Sequence, residues 1–411
     1  MSFNWIRISN SMRILINGIN YYPELTGIGK YTGEMAKWLA EQGHSVKVIC
    51  APPYYPEWKI ADGYSGVRYQ KTITSGVEVI RCPVWVPDKP TGITRIIHLL
   101  SFAVSSMPLM LWNAVFWRPD VVFVVEPPLF CAPTSWMAAK IARAKSWLHV
   151  QDLEVDAAFD LGILSSSFIR KIILAVEKFL LRRFDCVSTI SSKMMERLRE
   201  KGVENERLVY FPNWVDVDYI YPINRPSLFR EKFDIPKDTL VLLYSGNMGK
   251  KQGLEVIIEV AISLLDRHNI LFLLCGNGAI RNEIESKAKN IKNIRLFGLQ
   301  PASLLNELLN LADIHLLPQR EDIEDLVMPS KLVSMVASGK PVITTARKGT
   351  QVAELVEKCG LVVNPGDTEA LRASILELAE QPARRDELGR IAREYAIDNW
   401  EKQKVLGDLF K

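Results

Sequence analysis

The feature that most constrains the fold of this chain is an alternation of strand and helix patterns that begins again after residue 226. Short apolar runs rich in β-branched residues, such as 121–125 and 270–275, alternate with longer stretches whose apolar residues recur at helical spacing. Such alternation predicts a parallel sheet covered by helices, because parallel strands need long crossover connections. Two series of this kind predict two α/β domains.

The first series of predicted elements opens with a strand, a glycine-containing segment and a helix. Its strands are 13–19, 45–49, 121–125, 146–150 and 186–190, and its helices are 31–41, 133–144 and 169–183. We also expect a hairpin around Ser75-Gly76 and a helix cap at Ser191 or Ser192. The second series has strands 240–245, 270–275, 294–297 and 314–317, with helices 253–266, 279–290 and 301–310.

The composition excludes several classes of protein. The six cysteines are scattered without a Cys-x-x-Cys pair, which favours a reducing, cytoplasmic setting and argues against structural zinc. The five histidines contain no His-x-x-x-His pattern, so we expect no protein-held metal. No basic block is long enough to indicate nucleic acid, although residues 1–200 carry a mild excess of positive charge, +6 against −2 in the remainder.

Residues 93–117 are almost wholly apolar and long enough to span a bilayer. His98, Pro108 and Asn113 interrupt the run, and a predicted strand follows at once. We therefore predict one or two helices of the domain itself. The functional alternative is a helix whose apolar face rests in a membrane interface.

Residues 326–345 predict a loop, a short helix, a glycine turn and a strand. Pro329 suits the first turn of the helix, and Gly339 suits its end. Ser330 and Lys331 would bring N–H groups and a positive charge to the helix N-terminus, which is a natural site for a diphosphate. The alternative is an ordinary helix whose Lys331 is solvated.

Residues 246–253 supply three glycines and two lysines between a predicted strand and helix. Backbone N–H groups and ammonium groups in such a loop can neutralise a diphosphate. The loop lacks the Gly-Lys-Ser/Thr of a nucleotide-hydrolysing P-loop. A plain glycine turn is the alternative.

The glycines at 27, 29 and 33 imitate a dinucleotide-binding fingerprint. They lie far from the end of the first strand, and the second strand ends in Cys50-Ala51-Pro52-Pro53 without an acidic residue for a ribose. A small glycine loop that lets a substrate approach the backbone is the better interpretation.

His149 and Asp152 stand at the end of a predicted strand, where open α/β sheets bind ligands. Either residue could take part in the reaction or face a bound substrate. A structural His–Asp pair that caps the strand explains them nearly as well.

These motifs, in this order and spacing, resemble the GT-B glycosyltransferases of family 4 over nearly the whole chain. The resemblance is carried by the following segments: 27–29, 149–156, 213–216, 246–255, 317–332 and 338–343. It implies two Rossmann-like domains with an interdomain cleft: a first, acceptor-side domain over 1–205, a junction over 206–226, a nucleotide-sugar domain over 227–390, and a C-terminal helix over 391–411 that crosses back to the first domain.

The resemblance implies sugar transfer from a nucleotide diphosphate donor without a metal or other cofactor. The donor and phosphate ligands that it implies are Gly27, Ile28, Gly29, Gly246, Asn247, Lys251, Ser330, Lys331 and Leu332. His149 or Asp152 would face the reacting sugar or the acceptor.

Two departures from the family pattern affect the site. The family commonly has two glutamates with seven residues between them, and their places are taken here by Leu326 and Ser334. Glu321, Glu324 or Asp325 could substitute for the first of them, and Asp325 is favoured. Asn247 stands where the family commonly has an arginine, so phosphate neutralisation falls mainly on Lys251, with Lys250 in reserve.

The expected partners are a UDP- or GDP-sugar, a lipid-linked glycan and a membrane surface. The expected reaction moves L-fucose or N-acetyl-L-fucosamine to an undecaprenyl-diphosphate-linked glycan on the inner face of a bacterial plasma membrane. Two alternatives remain open. A GT-B nucleotide-sugar 2-epimerase would need no acceptor, and a non-catalytic subunit would bind nucleotide or glycan without reaction.

Overall fold

The computed structural model describes residues 11–24, 27–153, 167–321 and 329–410. The chain divides into two compact units, one formed by Met1–Pro212 with Leu406–Lys411 and the other by Asn213–Val405. The division at Pro212 falls within the segment for which the sequence predicts a junction. Each unit has its own largely parallel sheet.

The first unit is built on eight strands. They are β1 Arg13–Asn17, β2 Ser45–Cys50, β3 Gln70–Thr74, β4 Val77–Arg81, β5 Val121–Glu126, β6 Lys145–Val150, β7 Cys186–Thr189 and β8 Leu208–Tyr210. Their order in the sheet is β3-β4-β2-β1-β5-β6-β7-β8, and β3 and β4 form the antiparallel pair. Ser75 and Gly76 both have positive φ, as a type I′ turn requires, so the predicted hairpin is confirmed.

Helices cover this sheet. They are α1 Gly27–Glu41, α2 Gly92–Trp112, α3 Ala132–Ala142, α4 Ser167–Leu181 and α5 Ser192–Glu200. The connections from β4 to β5, β6 and β7 all step in one direction along the sheet. Because parallel crossovers are right-handed, α2, α3 and α4 lie on the same face. Ser191 caps α5 as predicted, since its Oγ accepts a hydrogen bond from the Met194 N–H at 3.1 Å.

The structure corrects the predicted limits of the opening strand and helix. β1 ends at Asn17 instead of residue 19, and α1 begins at Gly27 instead of residue 31. Gly27 to Gly29 therefore form the first turn of the helix and not a separate loop. The physical reason is close packing: a Cβ at Gly29 would lie 2.9 Å from Glu24 Cβ, and one at Gly33 would lie 2.9 Å from Tyr22 Cβ.

The second unit has six parallel strands. They are β9 Leu240–Ser245, β10 Ile270–Cys275, β11 Ile294–Phe297, β12 Ile314–Pro318, β13 Val342–Thr345 and β14 Gly360–Val363. Their order is β11-β10-β9-β12-β13-β14. The chain thus winds outward from β9 and then returns to β12 on its other side. This reversal opens a crevice at the carboxyl ends of β9 and β12, where doubly wound sheets bind ligands.

The helices of the second half follow the predicted alternation. They are α6 Leu228–Lys232, α7 Glu255–Ser263, α8 Arg281–Ala288, α9 Leu305–Leu309, α10 Ser330–Ala337, α11 Gln351–Cys359, α12 Thr368–Glu380, α13 Pro382–Trp400 and α14 Lys402–Phe410. The single C-terminal helix predicted over 391–411 is wrong, because Glu401 is extended and breaks it. The Glu401 carboxylate caps α14 by accepting from the N–H groups of Gln403 and Lys404. Phe410, at the end of α14, belongs to the first unit and packs there against Trp38 and Trp147.

Helix α13 packs against the turn after α10 through main-chain atoms, with no side chain between them. Gly389 is buried, and a Cβ added there would lie 2.3 Å from the carbonyl oxygen of Gly339. One turn later the Arg393 guanidinium donates hydrogen bonds to the carbonyl oxygens of Val217, Ile220 and Ala337. These contacts hold the C-terminal end of α10, the helix that carries Lys331 near its N-terminus.

We expect Gly389→Ala to lower the free energy of unfolding by about 1–2 kcal/mol. Alanine improves helix propensity by roughly 1 kcal/mol, but overpacking against backbone costs about 1–3 kcal/mol and should prevail. Urea denaturation measures the difference. The control is Asp398→Ala at an exposed position of the same helix, which should be neutral or slightly stabilising. Equal stabilisation by both substitutions would contradict the close contact.

Candidate functional site

The loop that follows β9 lies at the crevice of the second sheet. It turns at Gly246, with φ of 131°, and at Gly253, with φ of 60°, backbone conformations that favour glycine. Between them Met248 is fully buried. Its N–H donates to the Asn277 carbonyl at 2.8 Å, and its own carbonyl accepts from the Ile280 N–H at 3.0 Å. The loop is therefore held on the neighbouring segment after β10.

Two glycines after β10 make this contact possible. A Cβ at Gly276 would lie 1.9 Å from the carbonyl oxygen of Gly246, and one at Gly278 would lie 2.5 Å from that of Met248. Only backbone fits at these positions. The sequence analysis missed this pair, although the run Gly276-Asn277-Gly278 directly after an apolar strand was its signal.

Cations surround the same loop. Lys250 and Lys251 are exposed on a short 3-10 turn, and Asn247 is exposed before them. The Gly249 N–H is held by the Gln252 side chain at 3.0 Å, which shapes this turn. Arg320 follows β12, and its backbone N–H donates to the Lys251 carbonyl at 3.4 Å. Its side chain lies beside the end of the loop, since a Cβ at Gly253 would lie 3.1 Å from Arg320 Cγ. Arg320 is a further cation that sequence reasoning did not select.

The N-terminus of α10 brings Lys331 to the loop. The Lys331 Nζ lies 4.0 Å from the centre of the Tyr244 ring, and a Cβ at Gly246 would lie 3.3 Å from Lys331 Cδ. Nζ is buried and has no hydrogen-bond partner among the described residues. Burial lowers the pKa of Lys331 to about 7. The alternative of a solvated Lys331 is therefore wrong.

The other predicted ligands on α10 differ in what they can offer. Ser330 is half-buried at the first turn. The side chain of Leu332 is fully buried, and its N–H already donates to the Pro329 carbonyl at 3.0 Å. The Leu332 N–H is therefore already engaged within the first helical turn, and the predicted role of Leu332 as a donor ligand stays a prediction. Asp325, the favoured substitute for the family glutamate, and Leu326 lie outside the described residues.

The first unit places a buried carboxylate at the first turn of α1. Glu24 Oε1 accepts from the N–H groups of Tyr54 and Tyr55, both at 3.0 Å, and Oε2 accepts from the Asn20 amide at 2.8 Å. A Cβ at Gly29 would lie 3.0 Å from Glu24 Oε2. Burial raises the pKa of Glu24 despite these hydrogen bonds. Sequence analysis did not select Glu24, whose role depends on contacts with a loop thirty residues away.

This carboxylate bears on the predicted roles of Gly27, Ile28 and Gly29. A helix N-terminus attracts anions, but here the first turn already has a carboxylate beside it. A phosphate at the same place would be repelled by an ionised Glu24. Sugar hydroxyl groups, which can donate to acceptors, suit this turn better. Among the described residues, and apart from its neighbours along the helix, nothing lies within 4 Å of a Cβ placed at Gly27.

His149 is buried in an internal network of the first unit. Its Nδ1 lies 2.9 Å from Ser188 Oγ, and its Nε2 lies 2.9 Å from the Gln151 amide nitrogen. Ser188 Oγ also accepts from the Trp147 indole at 2.8 Å. Burial lowers the pKa of His149 to about 3, so the ring is neutral at pH 7. Since both ring nitrogens are engaged, the geometry favours the structural alternative for His149.

Asp152 is half-buried just beyond β6, between Gln151 and Leu153, which are both buried. Of the two predicted reactive residues in this unit, it is the more accessible. In the described part of the chain no group of three His, Cys, Asp or Glu side chains is arranged to hold a metal ion. All six cysteines are buried, and none forms a disulfide.

Comparison with protein families divides the chain as the structure does. Residues 26–214 match the family described as glycosyl transferase 4-like domain. Residues 227–395 match the family described as glycosyl transferases group 1. The second match contains the loop after β9 and helix α10, the two elements that meet at Lys331.

Whole-chain relatives agree with these matches. The chain is 41% identical over 406 residues to WcaI of Escherichia coli K12, a glycosyl transferase assigned to colanic acid biosynthesis, covering 96% of this chain and 98% of WcaI. Sucrose-phosphate synthase from Thermosynechococcus elongatus has a similar structure, with a TM-score of 0.72 over 97% of both chains at 18% identity. Anabaena HepE in complex with UDP and glucose has a TM-score of 0.67 at 16% identity, over 97% of this chain and 98% of HepE.

If this loop holds the expected UDP or GDP, we expect Gly276→Ala to weaken binding of that nucleotide by about tenfold or more, which corresponds to roughly 1.4 kcal/mol. The new Cβ would displace the Gly246 carbonyl and with it the loop beside Lys331. Isothermal titration calorimetry measures the affinity. The matched control is Gly298→Ala, where the structure shows open space around the added carbon. Unchanged affinity in Gly276→Ala would remove this loop from the binding site.

Proposed function

The chain belongs to the group 1 glycosyltransferases, and we propose that it transfers L-fucose or N-acetyl-L-fucosamine to an undecaprenyl-diphosphate-linked glycan. It is a nucleotide-sugar-dependent glycosyltransferase, and the predicted GT-B fold of two Rossmann-like domains is confirmed. The relationship to WcaI supports a role in the synthesis of a surface polysaccharide. The proposed donor is a UDP- or GDP-sugar.

The observation that carries the proposal is the convergence of cations and open backbone at the crevice of the second sheet. Lys251 and Arg320 flank the glycine loop from two sides, and Lys331 enters it from α10. When a sugar leaves its nucleotide, negative charge develops on the departing diphosphate. Preorganised N–H groups and cations stabilise that charge in the transition state more than in the ground state.

The first unit would hold the sugar and the acceptor. Its carboxylate at Glu24 and its open glycine turn at Gly27 offer acceptors and space for neutral hydroxyl groups. Asp152 is the accessible acid near the end of β6 and is our candidate for contact with the acceptor hydroxyl. In this proposal His149 positions the end of β6 through Ser188 and Gln151.

We expect Lys251→Ala to lower the rate of sugar transfer by about 10²-fold, on the scale of losing one oxyanion donor. The assay supplies UDP- and GDP-linked fucose-type donors with a polyprenyl-diphosphate-linked glycan and measures the nucleotide released. The control is Lys292→Ala, an exposed lysine elsewhere in the same unit. Near-normal transfer by Lys251→Ala would remove Lys251 from the site.

The same assay separates the alternatives. Donor conversion without acceptor would support the 2-epimerase, and nucleotide binding without turnover of any donor would support a non-catalytic subunit. Release of nucleotide that depends on the lipid-linked acceptor supports the transferase.

We also propose that the enzyme works at the inner face of the plasma membrane and contacts it through α2. One helical stretch in the described part of the chain, Gly92–Trp117, is long and apolar enough to cross a membrane. One side of it is packed inside the domain, with His98, Phe102 and Met110 fully buried. A spanning position would expose this packed side to lipid, so a helix lying in the interface fits better.

The opposite side of α2 carries an exposed apolar stripe, which we call the α2 ridge. It comprises Ile93, Ile97, Leu100, Val104, Met107 and Trp112. On the same sheet face, α3 exposes Met137 and Ile141, and α4 exposes Val176 and Phe179. Exposed cations accompany these helices: Arg95, Arg118, Lys140, Lys171 and Lys178. Apolar side chains surrounded by positive charge suit a bilayer with anionic headgroups.

We expect the double variant Ile97→Asp, Val104→Asp to lose association with anionic liposomes. Each apolar side chain buried in lipid contributes about 1.5–3 kcal/mol, so the partition coefficient should fall by roughly 10²-fold or more. Sedimentation with liposomes at low salt measures this. The control is Leu299→Asp, which places the same charge at an exposed apolar position of the second unit. Absence of wild-type protein from the liposome pellet would contradict the membrane proposal.

A further inference from the structure

We propose that the buried Lys331 amine, which has no hydrogen-bond partner among the described residues, is the principal phosphate ligand of the donor site and takes up a proton from water when the diphosphate binds. The inference rests on the proposed function, because it takes a nucleoside diphosphate as the ligand of this site. It differs from the sequence-based expectation, which placed phosphate neutralisation mainly on Lys251.

The first observation is the position of the amine. Lys331 Nζ lies over the Tyr244 ring, 4.0 Å from its centre, and a Cβ added to Gly246 would lie 3.9 Å from Nζ. The amine is buried and has no hydrogen-bond partner among the described residues. A buried polar group without a partner costs free energy, so its retention beside a glycine loop is explained by a ligand that completes it.

The second observation is the contrast with the other lysines. Lys250 and Lys251 are exposed, so water screens their charges and contacts with phosphate replace contacts with solvent. Lys331 is removed from water before the ligand arrives. An interaction between its charge and a phosphate is therefore stronger, because the local dielectric is lower.

The groups around Lys331 explain why its amine loses its proton more readily than an exposed lysine. The Tyr244 phenol beneath it donates to the Asn247 carbonyl, and burial raises the phenol's pKa, so it supplies no negative charge. The loop after β9 carries Lys250 and Lys251, and the segment between β12 and α10 carries Arg320 and the acids Glu321, Asp322, Glu324 and Asp325, of which the last three lie outside the described residues. In the described part of the chain, none of these groups forms an ion pair with Lys331. Burial lowers the pKa of Lys331 to about 7.

A bound diphosphate favours the protonated form of the Lys331 amine. A nearby anion favours the charged form of an amine, so binding raises the pKa of Lys331 above its value in the free protein. The amine nitrogen takes one proton from solvent, and the resulting ammonium donates to phosphate oxygens. Departure of the nucleotide returns that proton to water. Above pH 7 the free amine is mostly neutral, so affinity should fall as the pH rises, by up to about tenfold per unit.

Proton uptake tests the proposal directly. UDP and GDP are titrated calorimetrically into the full-length protein at pH 8 in buffers of different ionisation enthalpy, which reports protons bound per nucleotide. We expect about one proton for the wild type. Lys331→Met should bind at least tenfold more weakly and take up none, and Lys331→Arg should bind without uptake because its charge is permanent. Lys251→Met serves as the control and should weaken binding while retaining the uptake.

The outcomes separate this inference from the proposed function. Nucleotide binding by the wild type without proton uptake, or uptake retained in Lys331→Met, would overturn the inference and leave the glycosyltransferase site intact. Failure of both nucleotides to bind the wild type would overturn the inference and the donor-site assignment together. Folding is checked by thermal denaturation without ligand, where Lys331→Met should match or exceed the wild type because it removes a buried amine.

Discussion

The proposed donor site depends on a place where two loops meet through main-chain atoms alone. Gly276 approaches the Gly246 carbonyl so closely that no side chain fits between them. This contact holds the loop after β9 against the segment after β10, while α10 brings Lys331 to the loop's other side. The chemistry therefore rests on an arrangement that is mostly main chain, which explains why single glycines matter here more than a longer motif would suggest.

The two units use similar strand ends for different purposes. In the second unit, cations lie around the crevice beside β9, and the Lys331 amine has no hydrogen-bond partner in the part of the chain that the structure describes. In the first, the turn after β1 leads to a helix whose first turn already has Glu24 beside it. A site of positive charge suits a diphosphate, and a site with a carboxylate acceptor suits hydroxyl groups. The two units therefore suit different ligands because their charged side chains differ, although their folds are similar.

The alternation of strands and helices could be predicted from the sequence, because apolar periodicity is a local property. The glycine loop after β9 could also be predicted, since its lysines and glycines are contiguous. Glu24, Arg320 and the pair Gly276 and Gly278 could not, because their roles depend on segments distant in sequence. The start of α1 was misplaced for the same reason: Gly29 and Gly33 pack against Glu24 and Tyr22, and propensity alone treats them as helix breakers.

The sequence could not show that Lys331 is buried, and this distinction changes its chemistry. A lysine at a helix start is usually solvated and contributes a screened charge. Here the Tyr244 ring beneath it and Gly246 beside it remove water from the amine while supplying no counter-charge. An amine in that environment is neutral or charged according to what lies next to it. In the proposed transfer, the charge of the site can therefore rise with the charge of its ligand, since the leaving nucleotide is more negative than the donor sugar from which it departs.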